Sequence, residues 1–565
     1  MFRGIGASAG IGIGTAVLVR EPNLDYSHVI SGDAAVEKQR LSDAVAGFIK
    51  KTRLMAQKME TQVGQHQAEI LLGQIMMIED PFMMEQMGEM ITQGQCAEGA
   101  LDVVCQMYVE MFSAMEDELM CQRAADVQDM RTRILKQLLG QEDLDLSDLP
   151  PTAVLVAKDL TPSMTAGLKR GSIAGILTEM GGTTSHSAIL ARAMELPAVL
   201  GVTGVMDKVS SGDVIILDGS EGIALLNPDE ETVARYSARQ DVLRQEKAAL
   251  EEFAGKETVT ADGQKTALYG NIGNSQEAEM VIEATGEGIG LFRTEFLFMN
   301  RDRLPTEEEQ FQAYRQVAEI MAGREVIIRT LDVGGDKNIS YLGLEKEENP
   351  FLGFRAVRYC LEREDVFRLQ LRALLRASVF GNLKIMLPLV TNLEELRRSK
   401  ALIAELKKEL DEEGISYDPE LKVGVMIETP AAVMIADILA READFFSIGT
   451  NDLTQYVMAA DRGNCMVSEL GVPFQPAVLR AIEQVICAGH RSGIPVGMCG
   501  EAAADPRMIP LLLAFGLDEF SVSPSAVLKS RKIIAQWSGE AAAELKNRVM
   551  ECGTLEEVMK CLIKS

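Results

Sequence analysis

The chain of 565 residues exceeds what one hydrophobic core supports, so about two to four domains are expected, and 47% hydrophobic, 25% charged and 5% aromatic residues describe a globular protein rather than a disordered one. A formal charge of −28 at pH 7 argues against a nucleic-acid partner, which needs a basic face, and suits a basic or neutral one. No signal-peptide pattern and no run of about eighteen apolar residues occurs, so a cytoplasmic protein without membrane insertion is expected.

Residues 1–20 are small and β-branched, interrupted by Gly4, Gly6, Gly10, Gly12 and Gly14, which predicts a short strand and tight turns. From 34 to 139 apolar residues recur at helical spacing with breaks at Pro81 and Gly94, predicting a helical bundle. Within it, residues 59–122 contain twelve Asp or Glu and no Lys or Arg, and methionines are dense at Met76, Met77, Met83, Met84, Met87 and Met90. Such a stretch is either a solubilising face over a helical core or an adaptable partner surface. Pro150-Pro151 closes the region, and strand-like runs resume at 153–156, 173–177, 198–200 and 214–217. The helices are therefore read as an insertion in a small α/β domain. Residues 230–256 are charged and helix-favouring, with no glycine before Gly255, as in a semi-rigid connector.

Eight short apolar runs follow, at 267–271, 288–293, 326–331, 383–387, 423–427, 445–448, 495–498 and 519–522, separated mostly by amphipathic helical stretches. This pattern predicts a (β/α)8 barrel, whose chemistry sits at the carboxyl ends of its strands. Arg293 closes the second run, Arg329 and Asp332 the third, Glu428 the fifth, Asn451 and Asp452 the sixth, Cys499 the seventh, and Ser521 and Ser523 the eighth. Glu428 and Asp452 are hard oxygen ligands of the kind that hold Mg²⁺ together with substrate phosphate and water; as plain helix caps they would need no metal. Arg293, Arg329 and Arg462 can grip a phosphate or carboxylate bidentately, or pair with neighbouring acids. Cys499, close to Gly497 and Gly500, can exchange a proton with carbon. The nine cysteines have no CxxC spacing, and the other eight read as reduced fillers.

Of four histidines, His28, His66, His186 and His490, one has phosphate-friendly surroundings: His186 in Gly181-Gly182-Thr183-Thr184-Ser185-His186-Ser187-Ala188. A Gly-Gly turn, hydroxyl residues and a helix-forming run place its imidazole at a helix N-terminus, where free N–H groups favour phosphate. A lone histidine in a short motif is more often structural, so its weight depends on a donor site elsewhere.

These segments carry a resemblance. Gly4-Ile5-Gly6-Ala7-Ser8, Arg123-Ala124-Ala125-Asp126, Asp159-Leu160-Thr161-Pro162-Ser163, the His186 segment, Gly290-Leu291-Phe292-Arg293-Thr294-Glu295-Phe296, Asp332-Val333-Gly334-Gly335-Asp336-Lys337, Asn349-Pro350-Phe351-Leu352-Gly353, the run from Phe446 to Tyr456, and Phe520-Ser521-Val522-Ser523-Pro524 stand in one order. Over nearly the full length the sequence resembles the enzyme I family of the bacterial sugar phosphotransferase system, the phosphoenolpyruvate–protein phosphotransferases. The resemblance implies that His186 is phosphorylated on the nitrogen remote from the backbone and that Cys499 protonates the enolate of pyruvate. It further implies that Arg293, Arg329, Asn451, Asp452 and Arg462 bind phosphoenolpyruvate, that Glu428 and Asp452 hold Mg²⁺, and that Arg355 joins the anion-binding set. It implies an α/β multidomain architecture: a phosphohistidine domain of residues 1–20 and 145–228, a helical subdomain of 21–144 that docks the carrier HPr, a helical connector of 229–256, and a (β/α)8 TIM-like barrel of 257–565 that binds phosphoenolpyruvate and forms a homodimer. Ala9 stands where the family usually has proline, Thr183 where arginine is usual, and Gln74 where histidine is frequent. Pyruvate phosphate dikinase and phosphoenolpyruvate synthase share such domains, but need a nucleotide-binding domain for which the first 180 residues are too few and too helical. A non-enzymatic scaffold is the other alternative, and all the expected site residues are present.

Overall fold

The computed structural model describes residues 1–20, 24–62, 65–113, 118–141, 146, 149–165, 168, 173–182, 185–299, 301, 303–334, 339–345 and 347–563. It divides into two compact units, residues 1–247 and 248–565.

In the first unit the strands are β1 (Phe2–Arg3), β2 (Ile5–Ser8) and β3 (Ile11–Val19), followed by helices α1 (Ala34–Gln62), α2 (Gln65–Ile78), α3 (Pro81–Thr92), α4 (Ala97–Ser113) and α5 (Glu118–Leu138). Then come β4 (Ala153–Ala157), α6 (Pro162–Thr165), β5 (Gly175–Thr178), α7 (His186–Ala193), β6 (Ala198–Leu200), α8 (Val205–Lys208), β7 (Val214–Asp218), β8 (Ile223–Leu226) and α9 (Glu230–Glu251). The eight strands form one sheet in the order β1-β8-β7-β3-β4-β5-β6-β2. Its centre, β3 to β6, is parallel. Leu155, Ile176 and Leu200 pack on one face, while Val154, Val156, Leu177 and Val199 pack on the other. Burial on both faces is why these strands read as unbroken apolar runs. β3 is longer than its glycine-rich sequence suggests. A Cβ at Gly12 would meet Ala174 O at 2.2 Å, and one at Gly14 would meet Thr152 O at 1.9 Å, so the glycines admit a close neighbouring backbone instead of ending the strand.

The five helices α1–α5 are spliced between β3 and β4. Their core holds Leu41, Phe48, Met83, Met87, Leu101, Val127 and Ile134, so part of the methionine-rich stretch is interior. Met76 and Phe82 instead stay 75% and 59% exposed. Asp80 caps α3, its side chain accepting from Phe82 N at 2.9 Å. The first part of α9 is tied to the sheet by Arg239–Asp218 at 3.0 Å and by Gln240 Nε2 donating to Ile11 O at 2.7 Å.

The second unit is built on β9 (Ala267–Ile272), β10 (Ile289–Arg293), β11 (Val326–Arg329), β12 (Leu383–Leu387), β13 (Lys422–Ile427), β14 (Phe446–Ile448), β15 (Val496–Met498) and β16 (Glu519–Val522). All neighbours are parallel, and β16 closes on β9 as a barrel. Each of the eight expected runs is one of these strands. The main core lies between strands and surrounding helices, and includes Ile289, Phe292, Ile328, Ile385, Val425, Phe446 and Phe520. Among the described residues no helix is long and apolar enough to cross a membrane.

Candidate functional site

The carboxyl ends of β10 to β15 carry a dense set of charges. Arg293 and Arg329 stand in register at the ends of β10 and β11. The Arg329 guanidinium bonds Glu295 Oε1 at 2.5 Å and Asp332 Oδ2 at 3.0 Å. Asp332 also accepts from Arg355 Nη2 at 2.7 Å, and the same nitrogen lies 3.4 Å from Asp452 Oδ2. Arg462, at the surface, reaches Asp452 Oδ1 at 3.3 Å. Arg355 and Arg462 both lie over the Phe351 ring, 5.5 and 5.7 Å from its centroid. Asn451 clamps the next loop, its Oδ1 accepting from Glu501 N at 3.3 Å.

This set has donors to spare. Arg329 Nε and Arg355 Nε and Nη1 are buried without a hydrogen-bond partner among the described residues, and Arg293 has no ion pair among them. Buried donors are normally satisfied, so their arrangement suits an anion placed between the arginines.

Glu428 sits below them, 3% exposed, with Leu389 N donating to its Oε1 at 2.6 Å. Its Oε2 occupies space left by Gly449, where a Cβ would lie 2.6 Å away. Burial, then Asp452 and Asp332, push its carboxyl upward, and Arg329 opposes them. A buried carboxylate held near two others is relieved by a bound cation, so the donor set fits a hard divalent ion. Among the described residues no three His, Cys, Asp or Glu side chains are grouped to hold a metal alone, which fits an ion whose remaining ligands are substrate oxygens and water. Cys499 follows β15 and is 6% exposed, in an interior cluster with Leu291, Ile327, Met386 and Met426. Burial pushes its thiol up to about 12, so it carries its proton at neutral pH.

Sequence reasoning identified the strand-end residues individually but missed Glu295 and the bridging role of Asp332. The chain signal for both was their place two residues after Arg293 and three after Arg329; the bridges themselves join separate loops and leave no local pattern.

In the first unit, His186 is the first residue of α7, which Ser185 caps by accepting from Ala188 N at 3.4 Å. Gly181 has φ +103, a conformation natural to glycine. The His186 imidazole, Thr183 and the His66 side chain lie outside what is described. Ser187 Oγ donates to Asp159 Oδ1 at 3.0 Å. Gln74 is fully buried and donates to Asp129 Oδ2 at 3.0 Å, while Asp129 Oδ1 accepts from Ser163 Oγ at 2.6 Å. A polar chain thus joins the bundle to α6, with Gln74 as an amide link. His490 Nε2 is paired with Asp518 at 2.8 Å and has no part in either site.

Three family models match the chain: the PEP-utilising enzyme N-terminal domain at residues 3–123, the mobile domain at 149–222, and the PEP-binding domain at 247–538. Relatives named phosphoenolpyruvate-protein phosphotransferase are 46% identical in Geobacillus stearothermophilus, over 99% of this chain and 97% of the relative, and 44% identical in Bacillus subtilis, over 99% and 98%. A solution structure of an Enzyme I protein covers 43% of this chain and 100% of its own at 34% identity and a TM-score of 0.38. With nearly full-length matches at this identity, the chain belongs to the phosphoenolpyruvate-protein phosphotransferase family of PEP-utilising enzymes.

Proposed function

We propose that the chain takes a phosphoryl group from phosphoenolpyruvate onto His186, releases pyruvate, and passes the group to the carrier protein HPr in the first step of sugar uptake by the phosphotransferase system. The observation that carries this reading is the anion-shaped set of unpaired arginine donors beside Glu428, Asp452 and a protonated Cys499.

Arg293, Arg329, Arg355 and Arg462, with Asn451, bind the phosphate and carboxylate of phosphoenolpyruvate. Glu428 and Asp452 hold Mg²⁺, which supplies charge neutralisation at the phosphate oxygens. Fixed charges in a buried site stabilise the transferring group without reorganisation. The His186 nitrogen forms a bond to phosphorus as the bridging P–O bond breaks, leaving the enolate of pyruvate, and the Cys499 S–H gives its proton to the methylene carbon. Residues 1–20 and 145–228 then act as the phosphohistidine domain, 21–144 as the HPr-docking helices, 229–256 as the connector, and 257–565 as the donor barrel and homodimer surface. The acidic stretch suits a basic carrier, and the reaction belongs in the cytoplasm.

The test is incubation with labelled phosphoenolpyruvate and Mg²⁺, with and without HPr. An acid-labile, base-stable label on His186 that HPr removes is expected; no label would refute the reading.

A further inference from the structure

Arg355 and Arg462 come from separate loops and carry like charge, yet both are drawn to one place. Asp452 holds one with each oxygen, Oδ2 at 3.4 Å from Arg355 and Oδ1 at 3.3 Å from Arg462. The two also share the Phe351 ring, whose centroid is 5.5 and 5.7 Å from their guanidinium carbons, inside the distance of about 6 Å over which an aromatic face attracts a cation. Phe351 is half-buried and joins no hydrophobic core cluster among the described residues, so core packing does not account for the ring.

The turn that carries the ring is braced by its neighbours. Asp452 and Tyr456 stand four residues apart on the helix Thr450–Met458 and so share a face, and the Tyr456 hydroxyl donates to Phe351 O. One helix therefore fastens both the carboxylate and the backbone of the ring. After Phe351, the Glu347 carboxylate accepts from Phe354 N at 3.0 Å and fills the space beside Gly353, where a Cβ would meet its Oε2 at 1.9 Å. Arg358 Nη1 donates to Leu352 O at 3.1 Å and to Gly353 O at 3.0 Å. Ala356, next to Arg355, has φ +52, a strained conformation that persists only where the surroundings hold it.

Carboxylates and aromatic faces neutralise an arginine differently. A carboxylate takes up N–H groups, whereas a ring face attracts the charge and leaves the in-plane donors free. Arg355 shows the contrast: its Nη2 is spent on Asp332 and Asp452, while Nε and Nη1 are buried without a hydrogen-bond partner among the described residues. A further carboxylate in place of Phe351 would consume those donors. We infer that Phe351 is a positioning residue for the reaction, its ring holding Arg355 and Arg462 together with N–H groups free for the anionic groups of phosphoenolpyruvate, and the Tyr456 hydroxyl holding the ring. The inference rests on the proposed role of the two arginines in binding phosphoenolpyruvate, and Phe351 acts through them without touching substrate. Because the attraction comes from the negative face of the ring, it follows the electron density of the ring and not its size.

The test places phenylalanines bearing one, two and three ring fluorines at position 351 of the full chain and measures initial-rate pyruvate release against phosphoenolpyruvate concentration, with Mg²⁺ and HPr. Fluorine keeps the shape of the ring and drains its face, so a packing role would leave the kinetics unmoved. Here kcat/KM for phosphoenolpyruvate should fall step by step along the series, reaching roughly 10-fold with three fluorines, with KM carrying more of the change than kcat. Phe351→Leu, which has no ring, should lose at least as much, and Phe351→Tyr, which keeps the face, should retain most of the wild-type value. Tyr456→Phe should raise KM in the same direction by freeing the turn. A flat fluorine series, or a wild-type KM in Phe351→Leu, would overturn the inference, and a wild-type KM in Tyr456→Phe would overturn the part given to the tether. If the wild-type chain released no pyruvate from phosphoenolpyruvate, the proposed function itself would fail and the inference with it, a separate failure seen before any variant is compared.

Discussion

Replacing Arg355 separates the charge of this residue from its shape. Its guanidinium is 6% exposed and touches two carboxylates, Asp332 at 2.7 Å and Asp452 at 3.4 Å. Breaking a buried ion pair by removing one partner costs about 3–5 kcal/mol. Here each carboxylate keeps a second cation, Arg329 at 3.0 Å for Asp332 and Arg462 at 3.3 Å for Asp452. Arg355→Met should therefore cost less, about 2–3 kcal/mol, and lower the melting temperature of the barrel by roughly 5 °C. Arg355→Lys keeps the charge and should leave stability within about 1 kcal/mol, because the ammonium can still lie near Asp332. It cannot reproduce the fork, so kcat/KM for phosphoenolpyruvate should fall roughly 10- to 100-fold, the value of one charge-assisted hydrogen bond of about 1.5–3 kcal/mol. Calorimetry and initial-rate pyruvate release measure the two effects. Wild-type kcat/KM in Arg355→Lys would refute the anion-binding role, and an unchanged melting temperature in Arg355→Met would refute the buried bridge.

Glu428→Ala should lower Mg²⁺-supported turnover by on the order of 10²–10³-fold, and a normal Mg²⁺ titration in this variant would contradict the metal assignment. In the bundle, burial and then Asp129 raise the Asp126 carboxyl to about 7, with Arg123 opposing. A carboxyl raised on folding stabilises below its unfolded pKa near 3.8 and loses that contribution as pH rises through about 7. Asp126→Asn should accordingly raise the melting temperature at pH 8 relative to wild type and not at pH 4, checked by thermal unfolding at both. Glu85 and Glu89 line a groove on α3 opposite Lys38 of α1, and their joint reversal to Lys should slow phosphoryl transfer to HPr at low salt and flatten its salt dependence, since such steering is screened beyond about 10 Å at 0.1 M ionic strength. Unlike Asp80, neither caps a helix, so loss of binding would not be loss of fold.

The barrel was legible because a parallel strand buried on both faces is a short apolar run, and the strand-end rule then found Arg329, Glu428, Asp452 and Cys499 at one mouth. The run at 326–331 extended two residues past β11, where the backbone leaves the sheet to present Asp332 and its neighbours, while that at 288–293 began one residue before β10. β8 escaped notice because Ile223–Leu226 is a four-residue antiparallel partner of β7 behind a short turn, too brief to show a period. The Asp129–Gln74 link was invisible because residues 55 apart on two helices meet only in the packed bundle.

The splice of α1–α5 between β3 and β4 also bears on how the first unit assembles. Val19 and Ala157 are partners in the sheet, so the central parallel pair cannot register until a chain segment of well over a hundred residues has been gathered in. Closing so long a loop as a random coil is slow, although its entropic cost grows only logarithmically with length. The helices are joined by short-range contacts and can condense first, turning the loop into a compact spacer with neighbouring ends. The bundle then acts as an internal scaffold for the sheet, and core substitutions such as Leu101→Ala should retard formation of β3–β4 even though no atom of Leu101 belongs to that core.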